Sequence, residues 1–403
     1  MELWESDINQ KYAGKDLRKI LQKKRIIRYL HNKGPQSNAY LAKKLNISVP
    51  TIQTILNELI ENELVEEQGQ GDSSGGRRPN IYGLADKSFY TMGIDIGRYT
   101  TRIAIYNHLN ENITGTQILN QTLESSLEFV DQTASFALKL ISENKISSEK
   151  IIGIGINMPG LIDSDLGINY TYLNFEKPIR EIFEEKLGVR IFIENDARAR
   201  ALAELKFGVA KGHSNVLVLH VDWGVGLGMI LNGRLYRGSS GFSGEFSHIP
   251  IIDQGALCNC GKHGCLETIA SGMALAKRVE EGIAAGNESM LKNLNADNHK
   301  YTLETIIDAA NSGDHFTISL ISNMAQYLGK GIATLVQILN PELIILGGRV
   351  SKANEYLITP IKQALYLYCI PKLRENTDII ISEFDKEAGV LGAIAVVTER
   401  IFE

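Results

Sequence analysis

Three observations predict an α/β protein with a helix-rich head. Residues 17–60 carry apolar positions at helical spacing and no strand-like run. From Tyr90 onward, short apolar strands that close in glycine turns alternate with helical segments. The length of 403 residues exceeds one ordinary domain, so two or three domains are expected.

In the head, Leu17, Ile20, Leu21, Ile27 and Leu30 form one helical stripe over Leu17–Asn32, which Gly34-Pro35 stops. Ser37 caps a short helix over Asn38–Leu45, with Leu41, Ala42 and Leu45 inward. After the turn Asn46-Ile47, Ser48 caps a third helix that tolerates Pro50 in its first turn. Ile52, Ile55, Leu56, Leu59 and Ile60 are its inward stripe. Next come Leu64–Glu67, a glycine-rich stretch from Gly69 to Gly76, and Arg77–Tyr82, which together read as two strands around a tip. Helix, short helix, turn, helix and wing is the winged helix-turn-helix pattern, whose last helix enters the DNA major groove.

The expected DNA-facing residues are Ser48, Thr51, Gln53, Thr54 and Asn57 on the third helix, and Arg77 and Arg78 on the wing. Lys23, Lys24, Arg25, Arg28, Lys43 and Lys44 could meet phosphates. The alternative is a helical bundle used for dimerisation, with a solvated charged face. Charge agrees weakly with nucleic acid: residues 1–80 hold 13 Lys+Arg against 10 Asp+Glu, within a chain of net charge −5. Hydrophobic residues make up 44% and no run approaches a membrane span. Met1–Gln10 has acidic residues and no apolar signal core, so a cytoplasmic location is expected.

The α/β region opens with the strand Met92–Gly97 and its partner Thr101–Tyr106. Ile151–Ile156 is a buried strand ending near Pro159-Gly160. Ile191–Ile193 precedes Glu194-Asn195-Asp196 and an Ala-rich helix to Phe207. Val216–Val221 and Met229–Leu231 form a hairpin around Gly224, Gly226 and Gly228, and Leu343–Leu346 leads into Gly347-Gly348. Cys258, Cys260 and Cys265 supply three thiolates on one tight loop, with Gly261 and Gly264 to fold it back, which suggests structural zinc. Cys369 stands apart and reads as a small buried hydrophobe.

Six landmarks occur in order: Gly93–Gly97, Glu194–Ala197, Gly224–Gly226, Gly244–His248, the motif from Cys258 to Glu267, and Asn340–Glu342 before Gly347-Gly348. In these the chain resembles the ROK family of repressors and sugar kinases over nearly its whole length. The resemblance implies a two-lobed actin-like (ribonuclease-H-like) sugar-kinase fold with a cleft. It implies His248 as the fourth zinc ligand beside Cys258, Cys260 and Cys265, with His263 as the competitor inside the loop. It further implies sugar contacts from Asn195, Asp196, Glu245, His248 and Glu267, and more loosely from Asn174. His248 can serve both sets, one ring nitrogen for each.

In the family's kinases the Asp matching Asp196 is the general base, but a carboxylate equally holds a sugar hydroxyl without chemistry. The kinases follow Asp-x-Gly with Gly-Thr-Lys, where this chain has Arg98-Tyr99-Thr100. Their second loop runs Gly-Thr-Gly-x-Gly, where this chain has Asp222-Trp223-Gly224-Val225-Gly226. A carboxylate and an indole where phosphates would lie disfavour ATP. The expected organisation is a winged helix-turn-helix over 1–83 and a sugar-kinase-like region over 84–403. Its first lobe covers about 88–197 plus a C-terminal helix about 386–403, and its second about 198–385, with the zinc loop at 248–267. The expected function is a non-enzymatic, sugar-responsive repressor of carbohydrate-utilisation genes. It binds operator DNA and a sugar or sugar phosphate in the cleft, with structural zinc, as a homodimer or homotetramer. A sugar kinase and a protein-gated repressor are the alternatives.

Overall fold

Gly14–Lys33 (α1), Asn38–Leu45 (α2) and Val49–Glu61 (α3) build the head, as the apolar spacing predicts. The computed structural model describes residues 2–4, 12–71, 78–292, 301–384 and 386–402. Ser37 and Ser48 cap α2 and α3, each accepting a backbone N–H from its helix. Strands Gln36–Ser37 (β1), Val65–Gln70 (β2) and Asn80–Leu84 (β3) pair in the order β1-β3-β2, with β3 antiparallel to both neighbours. The head is therefore a winged helix. Two expected inward residues lie outside: Leu21 is 43% exposed and Ile60 38%. Each sits about 100° around the helix from a buried neighbour, Ile20 or Leu59, and Ile26 fills the stripe of α1 instead.

The chain folds into two compact units, 1–160 with 166–194 and 393–403, and 161–165 with 195–392. In the first, Tyr90–Ile96 (β4), Thr100–Asn107 (β5), Gln117–Asn120 (β6), Ile151–Met158 (β7) and Ile191–Asn195 (β8) are ordered β8-β7-β4-β5-β6. β4 runs antiparallel to β5 and parallel to β7. The head shares one apolar core with this unit: Ile27, Leu30, Leu56 and Tyr82 cluster with Phe89, Ile152 and Phe402. Rings of Trp4, His31, Phe89 and Phe402 meet at centroid distances of 4.6–5.9 Å.

In the second unit, Val216–Val221 (β9), Val225–Leu231 (β10), Arg234–Leu235 (β11), Leu343–Gly347 (β12) and Asp378–Ile381 (β13) are ordered β11-β10-β9-β12-β13. β9, β12 and β13 are mutually parallel, and β10 returns antiparallel to β9. β10 begins four residues earlier than the expected Met229, because Gly226 and Gly228 are strand residues and not turns. The Ala-rich helix Asp196–Phe207 lies against them: a Cβ at Gly226 would fall 2.6 Å from Ala197, and one at Gly228 2.4 Å from Ala201. Helices His315–Leu339 and Glu355–Tyr368 contribute to the core on this sheet. Among the described residues, no helix is long and apolar enough to cross a membrane.

Candidate functional site

The cysteine loop lies in the second unit. Cys258 N–H bonds Lys262 carbonyl and Gly261 N–H bonds Cys258 carbonyl, closing a tight turn. Gly264, at φ +73°, lets the chain pass so near Ile252 carbonyl that a Cβ would fall 1.8 Å from its oxygen. The result is one cluster: the donor atoms of His248, Cys258, Cys260 and Cys265 all lie within 4.8 Å of one another. Cys258 Sγ is 3.5 Å from His248 Nδ1, and Cys260 Sγ is 3.6 Å from Cys265 Sγ. A tetrahedral zinc site with thiolate and imidazole ligands has edges of about 3.4–3.8 Å, so the donor set fits that metal. His263 turns its Nδ1 to Gly255 carbonyl at 3.0 Å and stands outside the cluster, which separates it from His248. Burial, with Lys262 nearby, holds the His248 imidazole below its ordinary pKa.

His248 faces two ways. Its Nδ1 addresses the cysteines, and its Nε2 lies 3.9 Å from a Glu245 oxygen. Asn195 is the N-cap of the helix Asp196–Phe207, accepting Ala197 and Arg198 N–H at 3.0 and 3.2 Å. Asp196 opens that helix, with Oδ2 3.4 Å from Arg200. Glu267 follows the last cysteine and accepts Val225 N–H at 3.2 Å. Burial raises the carboxyls of Glu267 and Glu245, and the Asp196 charge adds to both shifts. Glu245 keeps 44% of its side chain exposed, so its shift is the softer one. The Asp196 charge thus reaches both Glu245 and Glu267, and the three carboxylates offer a set of acceptors suited to hydroxyl donors. Asn174 is exposed in the first unit and belongs to a separate segment.

Several polar residues beside this set, Asp222 excepted, escape a motif reading. Arg198 is 2% exposed and donates to Gly241 and Ile162 carbonyls at 2.6 and 2.9 Å, and its charge draws the Glu245 carboxyl back down. Asp222, at the end of β9, is gripped by Arg349: Nε donates at 3.0 Å to each carboxylate oxygen, and the Arg349 backbone N–H donates at 3.1 Å. Arg349 Nη1 also reaches Glu304 at 3.1 Å. Burial would raise Asp222, but the Arg349 guanidinium overrides it and holds the carboxyl far below the usual range. Between these groups His220 is pushed down to about 4, mainly by burial and then by Arg200. The available signal was two arginines in an Ala-rich helix and one arginine directly after Gly347-Gly348.

On the head, Ser48 Oγ lies 2.7 Å from Thr51 Oγ1, and Thr54 Oγ1 bonds Pro50 carbonyl at 3.0 Å. Gln53 donates to Asn57 at 2.9 Å and accepts from Asn38 at 2.8 Å. Thr54, Asn57 and Arg78 are exposed, while Thr51 and Gln53 are half-buried. Arg77 and the wing tip 72–76 lie outside the described residues. Among the expected phosphate contacts, Lys23 pairs with Glu58 at 2.8 Å, Arg25 donates to Leu45 carbonyl, and Lys24 is half-buried, with Arg190 nearby. Arg28, Lys43 and Lys44 are exposed.

The description "ROK family" matches residues 91–400, and "Winged helix-turn-helix DNA-binding" matches 21–66. The chain belongs to the ROK family. A xylose repressor of Bacillus spizizenii is 32% identical over 391 residues, 96% of this chain and 97% of that protein. A glucokinase of Halalkalibacterium halodurans is 35% identical over 306 residues, 75% of this chain and 92% of that protein. A crystal structure of a ROK family transcriptional regulator, homolog of E. coli MLC protein, superposes with a TM-score of 0.80 at 27% identity, covering 95% of this chain and 97% of that one. The xylose repressor thus matches across the head as well, while the glucokinase aligns with about three quarters of the chain.

Proposed function

We propose that this ROK protein is a sugar-responsive transcriptional repressor of carbohydrate-utilisation genes. The observation that carries the reading is the union, in one chain, of a winged helix and a group of carboxylates beside the cysteine loop. The near end-to-end match to a xylose repressor supports it. Asn195, Asp196, Glu245, His248 and Glu267 hold the sugar, with Asn174 as a looser contact. Ser48, Thr51, Gln53, Thr54, Asn57, Arg77 and Arg78 face operator DNA. The boundaries 1–83 and 84–403 separate the DNA-reading part from the sugar-reading part, and the protein works in the cytoplasm.

His248, Cys258, Cys260 and Cys265 hold structural zinc. When bound, that ion ties the loop without leaving an open coordination position. The loop in turn fixes Glu245 and Glu267, so the acceptors are ordered before sugar arrives. Most helix-turn-helix proteins read two half-sites, so the acting form is a homodimer or homotetramer. Sugar changes DNA binding because it favours one conformation of the assembly by its own contacts.

A kinase reading draws on Asp196 and on the glucokinase relative. Against it stand Arg98-Tyr99-Thr100 and Asp222-Trp223 where phosphates would lie, so phosphoryl transfer is absent. Binding of the full chain to DNA upstream of its own gene tests the function, with free and phosphorylated glucose, xylose and N-acetylglucosamine present or absent. Specific binding altered by one sugar is the expected result. ATP consumption with a sugar, and no specific DNA binding, would overturn it.

A further inference from the structure

The ends of β9 and β12, two adjacent parallel strands, carry Asp222 and Arg349. Ligands of open α/β sheets bind beyond the carboxyl ends of such strands. An arginine fork there matches a carboxylate and a phosphate equally well. In this chain the fork is already filled: Asp222 takes the Nε and backbone donors of Arg349, and Glu304 takes Nη1. Two carboxylates around one guanidinium leave no positive excess to attract a further anion.

The grip extends into the turn that follows. Asp222 carbonyl accepts Gly272 N–H at 2.8 Å, Trp223 carbonyl accepts Met273 N–H at 3.0 Å, and Val225 N–H reaches Glu267. Gly224 lies so close beneath Glu267 that a Cβ would stand 3.0 Å from its Oε1. Arg349, the 222–225 turn and the Glu267 carboxylate therefore form one hydrogen-bonded chain.

We propose that Asp222 is a built-in anion: its carboxylate occupies at Arg349 the place of a phosphate oxyanion and holds the 222–225 turn against Glu267 with no nucleotide bound. Asp222 is a positioning residue, and the group it replaces is a phosphoanion. The part of this inference that concerns sugar rests on the proposed function, through Glu267. The part that concerns the anion does not.

Trp4 and Trp223 are the two tryptophans of the chain, and Trp223 lies in the turn, so a full-length W4F variant reports the turn by fluorescence. Inorganic pyrophosphate is the probe. It leaves W4F emission unchanged, produces a saturable change in W4F/D222G, and binds at least about 10-fold more weakly when R349M is added, since charge-assisted bonds are lost. If the glycine variant unfolds, D222N removes the charge and keeps the shape, and carries the same comparison. In the second arm, D222G weakens binding of whichever sugar stabilises wild type, and pyrophosphate restores it. Folded charge-removed variants blind to pyrophosphate would overturn the inference, as would an equal response in the R349M variant or in W4F itself. A sugar-blind wild type would count against the proposed function alone and leave the pyrophosphate comparison standing.

Discussion

Replacing Phe402 with alanine should destabilise the first unit more than any surface change. The ring is 3% exposed, stacks on His31 at 4.6 Å and 26°, and meets Trp4 and Phe89 edge-on or tilted at 5.8 and 5.7 Å. Truncating a buried Phe costs about 3–5 kcal/mol, as lost transfer energy plus a cavity. In a unit of 150–250 residues each kcal/mol lowers Tm by about 2–4 °C, so a shift of roughly 6–20 °C is expected. The assay is thermal unfolding of the full chain followed by circular dichroism. Phe402 joins head residues and sheet residues in one core, so the loss should appear in both. A shift below about 2 °C, the scale of surface substitutions, would refute the shared core.

Four further predictions follow from single contacts. Lys19 and Lys23 hold the Glu58 carboxyl below its ordinary value of 4.5 in the folded head, so its stabilisation is present above that pH and lost as pH falls through the folded pKa. Tm against pH for Glu58→Gln should be flatter than wild type on the acid side of 4.5, and parallel curves would refute the pairing. Ser48→Ala removes the cap of α3 and should cost about 1 kcal/mol, read by urea denaturation. Cys260→Ser should lower the zinc content of purified protein, and full occupancy in that variant would break the ligand set. Asp196→Ala should abolish the sugar response of DNA binding while leaving operator affinity intact, and a retained response would remove Asp196 from the site.

The head was legible because its signals are local. Caps at Ser37 and Ser48 and apolar residues at helical spacing act within a few residues, and the helices formed where those signals stand. Leu21 and Ile60 were misplaced because apolar identity does not say where a stripe ends; that is set by which face the neighbouring element covers. Gly226 and Gly228 looked like turn residues, since a close approach by a distant helix leaves no mark in the local sequence beyond the glycine itself.

Sequence by itself determined the winged head, the order of strands and helices, the cysteine loop and the family, because each is written in adjacent residues or in a fixed order of motifs. Tertiary structure decided what lies far apart in the chain. It chose His248 over His263 at the cysteines, buried Arg198 against the Gly241 and Ile162 carbonyls, tied Phe402 to His31, and set Arg349 on Asp222. The reason is physical: a salt bridge or a shared core depends on distance in space, and 127 positions of chain separate Asp222 from Arg349. Only the folding of β9 beside β12 brings that pair within hydrogen-bond reach.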